Sequence, residues 1–277
     1  EFAAIDLGTN SCRMLIVHPT ASTQTSGTDN RANYEFTVVD GFSRIVRLGE
    51  GIGETGNLSQ AAMDRTIEAL SICADKITQR RVEHIHCIAT EACRRATNSD
   101  AFIERVERET GLKLDIISPE REAELTLSGC APLLNTGHNR ALLFDIGGGS
   151  TEVQWVKIPP LQGDHNLPQA LDVLSLPIGV VTLLERFGAD AMTAENHHAI
   201  IQEIEPELKA FSERNGIEAH ITEGRVQMLG TSGTVTTLGA MHLDLPRYDR
   251  SRIDGLTIDF SSIQAISAHL SGLSVTE

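Results

Sequence analysis

Three stretches of the chain set glycines, small hydroxyls and carboxylates at the end of an apolar run. They are Ile5-Asp6-Leu7-Gly8-Thr9-Asn10-Ser11, Phe144-Asp145-Ile146-Gly147-Gly148-Gly149-Ser150-Thr151-Glu152 and Gly230-Thr231-Ser232-Gly233-Thr234. Glycines lack a Cβ, so such a backbone can bring several N–H groups onto one phosphate. The hydroxyls of Thr9, Ser11, Ser150, Thr151, Thr231 and Ser232 add donors. The third stretch also opens a helix, whose first N–H groups favour an anion. One such stretch alone is more often an ordinary turn, but three of one chemistry in a single chain point to a phosphate site.

Carboxylates beside phosphate turns repel the substrate unless a divalent cation intervenes, so Asp6, Asp145 and Glu152 suggest magnesium. Asp145 ends one strand and Glu152 begins the next, so a tight turn returns both to one rim. Solvated turn carboxylates are the plainer reading. Glu122 lies in the first turn of a helix opened by Ser118 and Pro119. It could complement the helix dipole or act as a base, and the residues alone leave both open.

The first two stretches share a pattern: apolar, Asp, aliphatic, Gly, two residues, Ser. Their aspartates, Asp6 and Asp145, stand 139 positions apart in a chain of 277. In each, an apolar run enters the turn and another leaves it, Met14–Val17 and Val153–Val156, which reads as a β-hairpin. Two similar halves that face each other follow from that repeat. Strands are expected near Phe36–Val39 and Arg44–Leu48, at His84–Ala89 and at Leu112–Ile117. Between them fall a helix after Ser59, a short one near Glu91–Ala96, and one capped by Ser99 and stopped by Gly111. Ser at N-cap and Pro at N1 make Ser118-Pro119 a strong helix start. Beyond the second hairpin the pattern gives a strand at Leu171–Leu176, helices over Val180–Phe187 and from about Thr193, a strand at Val226–Leu229 and a helix at Val235–His242. This alternation is α/β. The polar Thr20–Asn33 and Lys157–Pro168 read as loops.

Composition narrows the chemistry further. Lys plus Arg number 23 and Asp plus Glu 38, a formal charge of −15, which argues against a nonspecific grip on DNA, RNA or an anionic membrane. Any polyanion must be met by a local positive field. Five scattered cysteines without a C-x-x-C pair fit a reducing, cytoplasmic setting better than a disulfide framework or zinc site. No apolar run reaches the ~20 residues that span a bilayer, and Glu1–Ile5 lacks the pattern of a secretory signal. Gly51–Gly56 matches G-x-G-x-x-G, but its helix would begin only after Ser59, so it reads as a loop. Gly230–Thr234 lacks the final Gly of a G-x-S-x-G nucleophile elbow, and His84, His86, His197 and His198 have no zinc context.

At Ala4–Ser11, Ile117–Ala123, Phe144–Glu152 and Gly230–Thr234, in that order and spacing, the chain resembles the exopolyphosphatase / guanosine pentaphosphate phosphohydrolase (Ppx/GppA) family of the actin-like, sugar-kinase-like superfamily. The resemblance implies two duplicated actin-like (ribonuclease H-like) α/β domains, 1–118 and 119–277, with a phosphate-binding cleft between them. It implies that Glu122 is the catalytic base that deprotonates water, that Asp145 and Glu152 are associated with Mg2+, and that Gly147, Gly148, Ser150 and Thr151 form the phosphate loop. Arg94 matches a phosphate-contacting arginine, with Arg13 a weaker candidate. The expected activity is an exopolyphosphatase releasing terminal orthophosphate from polyphosphate. Hydrolysis of the 5′-terminal phosphate of guanosine pentaphosphate is the alternative, and a non-catalytic alarmone or nucleotide sensor is an alternative of another class. A sugar or acetate kinase is disfavoured by the match at Ser118–Glu122. Polyphosphate or guanosine penta- and tetraphosphate are the implied partners. A homodimer stays open, since many long members carry further C-terminal helical domains, including an HD-type one.

Overall fold

A computed structural model describes residues 1–20, 35–160, 167–188 and 193–271. The chain divides into two compact units, Glu1–Glu122 and Ala123–Glu277.

The first unit runs β1 (Phe2–Leu7), β2 (Ser11–Thr20), β3 (Glu35–Ile45), α1 (Ile52–Thr55), α2 (Gln60–Arg80), β4 (His84–Ala89), α3 (Glu91–Arg95), α4 (Ser99–Thr110) and β5 (Asp115–Ile116). Its sheet order is β3-β2-β1-β4-β5, antiparallel across β3, β2 and β1 and parallel from β1 to β4 and β5. Alternation sorts the faces: Ala3, Ile5 and Leu7 are buried while Phe2, Ala4 and Asp6 are exposed. The buried face packs on the α2 stripe of Ile67, Leu70, Cys73 and Ile77 and on Phe102 and Val106 of α4. Each fully buried Leu or Ile there contributes roughly 1.5–3 kcal/mol. Ser59 caps α2 by accepting the Ala62 N–H. His84 stacks its ring on Phe2 at 4.9 Å.

Four expectations are corrected here. The two strands foreseen at 36–39 and 44–48 are one long β3 carrying a bulge, where the register shifts between Ile16 and Val17 of β2. Asp40 lies at this irregularity, bound to Lys76 and Arg80. The Gly51–Gly56 loop contains the single turn α1, bounded by glycines at φ 79° and 67°. Ser99 is the first residue of α4 rather than its cap, because Asn98 occupies the cap position and its side chain is bonded to Leu58. Finally, only Asp115–Ile116 of the 112–117 stretch pairs with β4.

The helix α5 (Pro119–Cys130) carries the division between the units. The second unit continues with β6 (Arg140–Ile146), β7 (Thr151–Lys157), β8 (Gln169–Leu176), α6 (Val180–Phe187), α7 (Ala194–Asn215), α8 (Ile217–Thr222), β9 (Val226–Thr231), α9 (Ser232–His242), α10 (Arg250–Ile253) and α11 (Phe260–Leu270). Its sheet order is β8-β7-β6-β9, with β6 parallel to β9. Here both faces are covered. Ala141, Leu143 and Val156 pack with Leu127 and Cys130 of α5, and Trp155 packs with Phe211 and Ile217. Beyond Thr20 the polar stretch to Asn33 lies outside the described residues, as does 161–166 of the second loop. Among the described residues no helix is long and apolar enough to cross a membrane.

Candidate active site

Both hairpins form, and their turns close identically. The Gly8 N–H donates to the Ser11 carbonyl and the Gly147 N–H to the Ser150 carbonyl, each at 3.0 Å. The residues facing the two aspartates across the ladder differ. Asp6 is the register partner of Arg13, whereas Asp145 is the register partner of Glu152. Directly opposed residues hold their Cβ atoms about 4.5–5.5 Å apart on one face, and like charges there are destabilising. Thr231 flanks Asp145 on β9 and Ser175 flanks Glu152 on β8, giving the row Ser175, Glu152, Asp145, Thr231 across the sheet. Glu152 is only 3% exposed, and one of its oxygens accepts the Ser175 hydroxyl at 3.1 Å.

Two adjacent carboxylates are the donor chemistry of a hard cation, and magnesium is commonly bound by one or two carboxylates plus water and substrate phosphates rather than by an all-protein cage. The Asp145–Glu152 pair fits that pattern in number and type of donor, and among the described residues no group of three or more His, Cys, Asp or Glu side chains stands together. Asp6, the third carboxylate singled out from the sequence, belongs to the first unit and is exposed beside Arg13 on its sheet.

The glycines of the second turn have a definite orientation. The Gly147 carbonyl accepts the Val180 N–H at 3.1 Å, and the Gly148 carbonyl accepts the Val181 N–H at 2.8 Å. Among the described residues no peptide is cis, and in a trans peptide the carbonyl and the following N–H point in opposite directions. The N–H groups of Gly148 and Gly149 therefore point away from α6. Among the described residues they donate to no carbonyl. Thr151 is held by its hydroxyl donating to the Ile178 carbonyl at 2.7 Å. Gly179 was not foreseen from the sequence. A Cβ on it would lie 2.5 Å from the Gly148 carbonyl carbon and oxygen. The available signal was a Pro-Ile-Gly run just before a helix.

The first turn is braced by a loop instead. The Thr9 carbonyl accepts the Gly49 N–H at 3.0 Å, and the Asn10 carbonyl accepts the N–H groups of Val46 and Arg47 at 2.8 and 2.9 Å. A Cβ on Gly49 would collide with the Thr9 methyl. Thr9 is 5% exposed, yet its hydroxyl has no hydrogen-bond partner among the described residues.

The third stretch is less a turn than a junction, which corrects the expected helix start at Val235. β9 runs through Thr231 and α9 begins at Ser232, whose φ of 75° lies in the left-handed region. That strand-to-helix corner resembles an elbow even without the final Gly, although its packing is toward the second turn. The Thr234 hydroxyl donates to the Ile146 carbonyl at 3.3 Å, and a Cβ on Gly230 would lie 2.7 Å from the Phe144 ring.

Glu122 falls where Ser118 and Pro119 put it. The Ser118 hydroxyl accepts the Arg121 N–H at 3.2 Å and its carbonyl accepts the Glu122 N–H at 3.0 Å. Arg94 donates through Nη1 to Glu122 Oε2 and to the Ile117 carbonyl, both at 2.9 Å, and through Nε to Glu91 Oε2 at 3.1 Å. Burial pulls the Arg94 pKa down, but Glu122 and Glu91 outweigh it and the net shift is upward. Nη2 lies 3.0 Å from Glu91 without an aligned hydrogen bond, which leaves a donor in a charged, half-buried site. Glu91 was missed, although its i, i+3 spacing to Arg94 on a short helix was readable. All five thiols are buried, and burial pushes Cys93 up to about 12 and Cys87 to about 11.

The sequence pattern of the Ppx/GppA phosphatase family matches residues 28–274. A protein of Photobacterium profundum named guanosine-5′-triphosphate,3′-diphosphate pyrophosphatase is 32% identical, aligned over 99% of this chain and 53% of its own. One of the same name from Vibrio parahaemolyticus is 34% identical over 86% of this chain and 42% of its own. The chain thus spans about half the length of these relatives. The crystal structure of the Aquifex aeolicus Ppx/GppA family member superposes with a TM-score of 0.72 at 28% identity, covering 99% of this chain and 79% of that one. An exopolyphosphatase from Cytophaga hutchinsonii gives a TM-score of 0.78 at 24% identity, covering 99% and 80%, a likeness of fold. With two α/β units matching such structures and a pattern spanning nearly all of it, the chain belongs to the Ppx/GppA phosphatase family.

Proposed function

We propose that the protein is a phosphoanhydride hydrolase that removes the 5′-terminal phosphate of guanosine pentaphosphate. The observation that carries the chemistry is the second turn, where two N–H groups with no carbonyl acceptor among the described residues stand beside the Asp145–Glu152 pair. Polyphosphate is the substrate the resemblance implies first; the names of the curated relatives support the nucleotide instead.

In this reading Glu122 accepts a proton from water as the water oxygen attacks the terminal phosphorus. The bridging P–O bond breaks, and its electrons leave with the shortened guanosine tetraphosphate while orthophosphate is released. Such transfers depend on positioning and charge neutralisation more than on covalent help. Arg94 orients Glu122, and its guanidinium suits phosphate oxygens. Asp145 and Glu152 would hold magnesium, which supplies neutralisation of the phosphate charge when bound.

Glu122→Gln tests the reading, because it keeps the shape and removes the base. Phosphate release from guanosine pentaphosphate should fall about 10²–10⁴-fold in kcat with little change in KM. Polyphosphate assayed in parallel is the discriminating arm, since preferential release from it would reverse the substrate assignment. Near wild-type kcat in the variant would reduce Glu122 to a helix-dipole residue.

A further inference from the structure

We infer that the first turn of α6 is a positioning element for the phosphate turn, acting through Gly179 and the N–H groups of Val180 and Val181. The inference rests on the proposal that this turn receives phosphate. A peptide group can present its N–H to a ligand only if its carbonyl is engaged on the other side. The Gly147 and Gly148 carbonyls are both engaged by α6, at 3.1 and 2.8 Å. The positive end of the α6 dipole thus reaches the anion one peptide plane away, and hydrogen bonds in series polarise one another.

Gly179 is required for space and not for a special dihedral, since its φ of −144° and ψ of 176° are open to any residue. A side chain there would overlap the Gly148 carbonyl and come within 2.6 Å of the Gly149 nitrogen, both backbone atoms that cannot swing aside. Thr182 fixes the same corner by accepting the Gly179 N–H at 2.8 Å and donating to its carbonyl at 2.9 Å.

Gly179→Ala is the direct variant, but a collision with backbone can compromise folding. Replacing Val180 by its α-hydroxy acid avoids that difficulty, because an ester oxygen in place of the nitrogen removes only the N–H directed at Gly147 and adds no atom. The same ester at Leu184, beyond the first turn of α6, removes a backbone N–H that does not reach the phosphate turn. The full chain should be titrated with inorganic pyrophosphate in the presence of Mg2+ by calorimetry, and its thermal midpoint and hydrolysis kinetics recorded.

The Val180 ester should bind pyrophosphate roughly tenfold or more weakly, the scale of a hydrogen bond to a charged group. KM should rise more than kcat falls. The Leu184 ester should lower the melting temperature as much while leaving pyrophosphate binding within about twofold of wild type. Unchanged binding in the Val180 ester, equal binding losses in both esters, or no pyrophosphate binding by the wild type would each overturn the inference. If the wild type binds pyrophosphate but hydrolyses neither substrate, the hydrolase reading fails while the comparison among variants still decides this one.

Discussion

Gly8 and Gly147 close their turns with the same N–H to carbonyl bond, and in each hairpin the aspartate two residues earlier faces the residue seven positions later. In the first unit that residue is Arg13; in the second it is Glu152. The contrast is confined to the turns, since elsewhere both units pair carboxylates with cations, Asp40 with Lys76 and Arg80 in the first and Asp172 with Arg214 in the second. At the second turn two carboxylates instead stand side by side, Glu152 buried and Asp145 half-buried. The two turns share a backbone while their charges differ, and under the proposed function the like-charge pair of the second receives a cation.

If this contrast is functional, the two aspartates should be unequal. Asp145→Asn should lower magnesium-dependent phosphate release about a hundredfold or more, within the range of losing a charge-stabilising group. Asp6→Asn should cost less than about tenfold, and comparable losses in the two would erase the distinction. A smaller effect is expected at Thr9, whose buried hydroxyl lacks a partner among the described residues. Thr9→Val should leave the melting temperature unchanged or raised, because no protein hydrogen bond is lost, while KM rises several-fold, about the worth of one hydrogen bond. A lowered melting temperature with unchanged KM would make that hydroxyl structural.

The smallest effect concerns Asp40. Lys76 and Arg80 hold its carboxyl down from the usual 3.8 to about 2. A depressed folded pKa stabilises above the unfolded value, so this contribution is complete above about pH 4 and is lost as the pH falls through about 2. Denaturant unfolding of wild type and Asp40→Asn should differ near neutral pH and converge toward pH 2. A gap that stays constant across that range would exclude the ion-pair account.

Much of this arrangement was legible in the sequence because the signals were local. Ser118-Pro119 and Gly111 mark helix ends with their own chemistry, Val180–Phe187 is bounded by glycines, and the hairpin alone requires Asp145 and Glu152 to meet. What escaped depends on contacts distant in the chain. Gly179 is required by Gly148, 31 positions away, and the bulge in β3 is set by its pairing with β2. Arg94 was singled out only through the family resemblance, and its tether to Glu122 spans 28 residues and two elements.

The central claim is that the second turn is charged to receive a cation, and thermal unfolding of wild type and Glu152→Gln across a magnesium titration tests it most directly. Glutamine can still accept the Ser175 hydroxyl, so the substitution isolates the charge. Without magnesium the variant should melt higher, by roughly the 0.2–1 kcal/mol of an opposed like-charge pair. With saturating magnesium the wild type should gain more and the order should invert, since only the intact pair binds the ion well. Curves that run parallel, or a variant less stable than wild type at every magnesium concentration, would contradict the account.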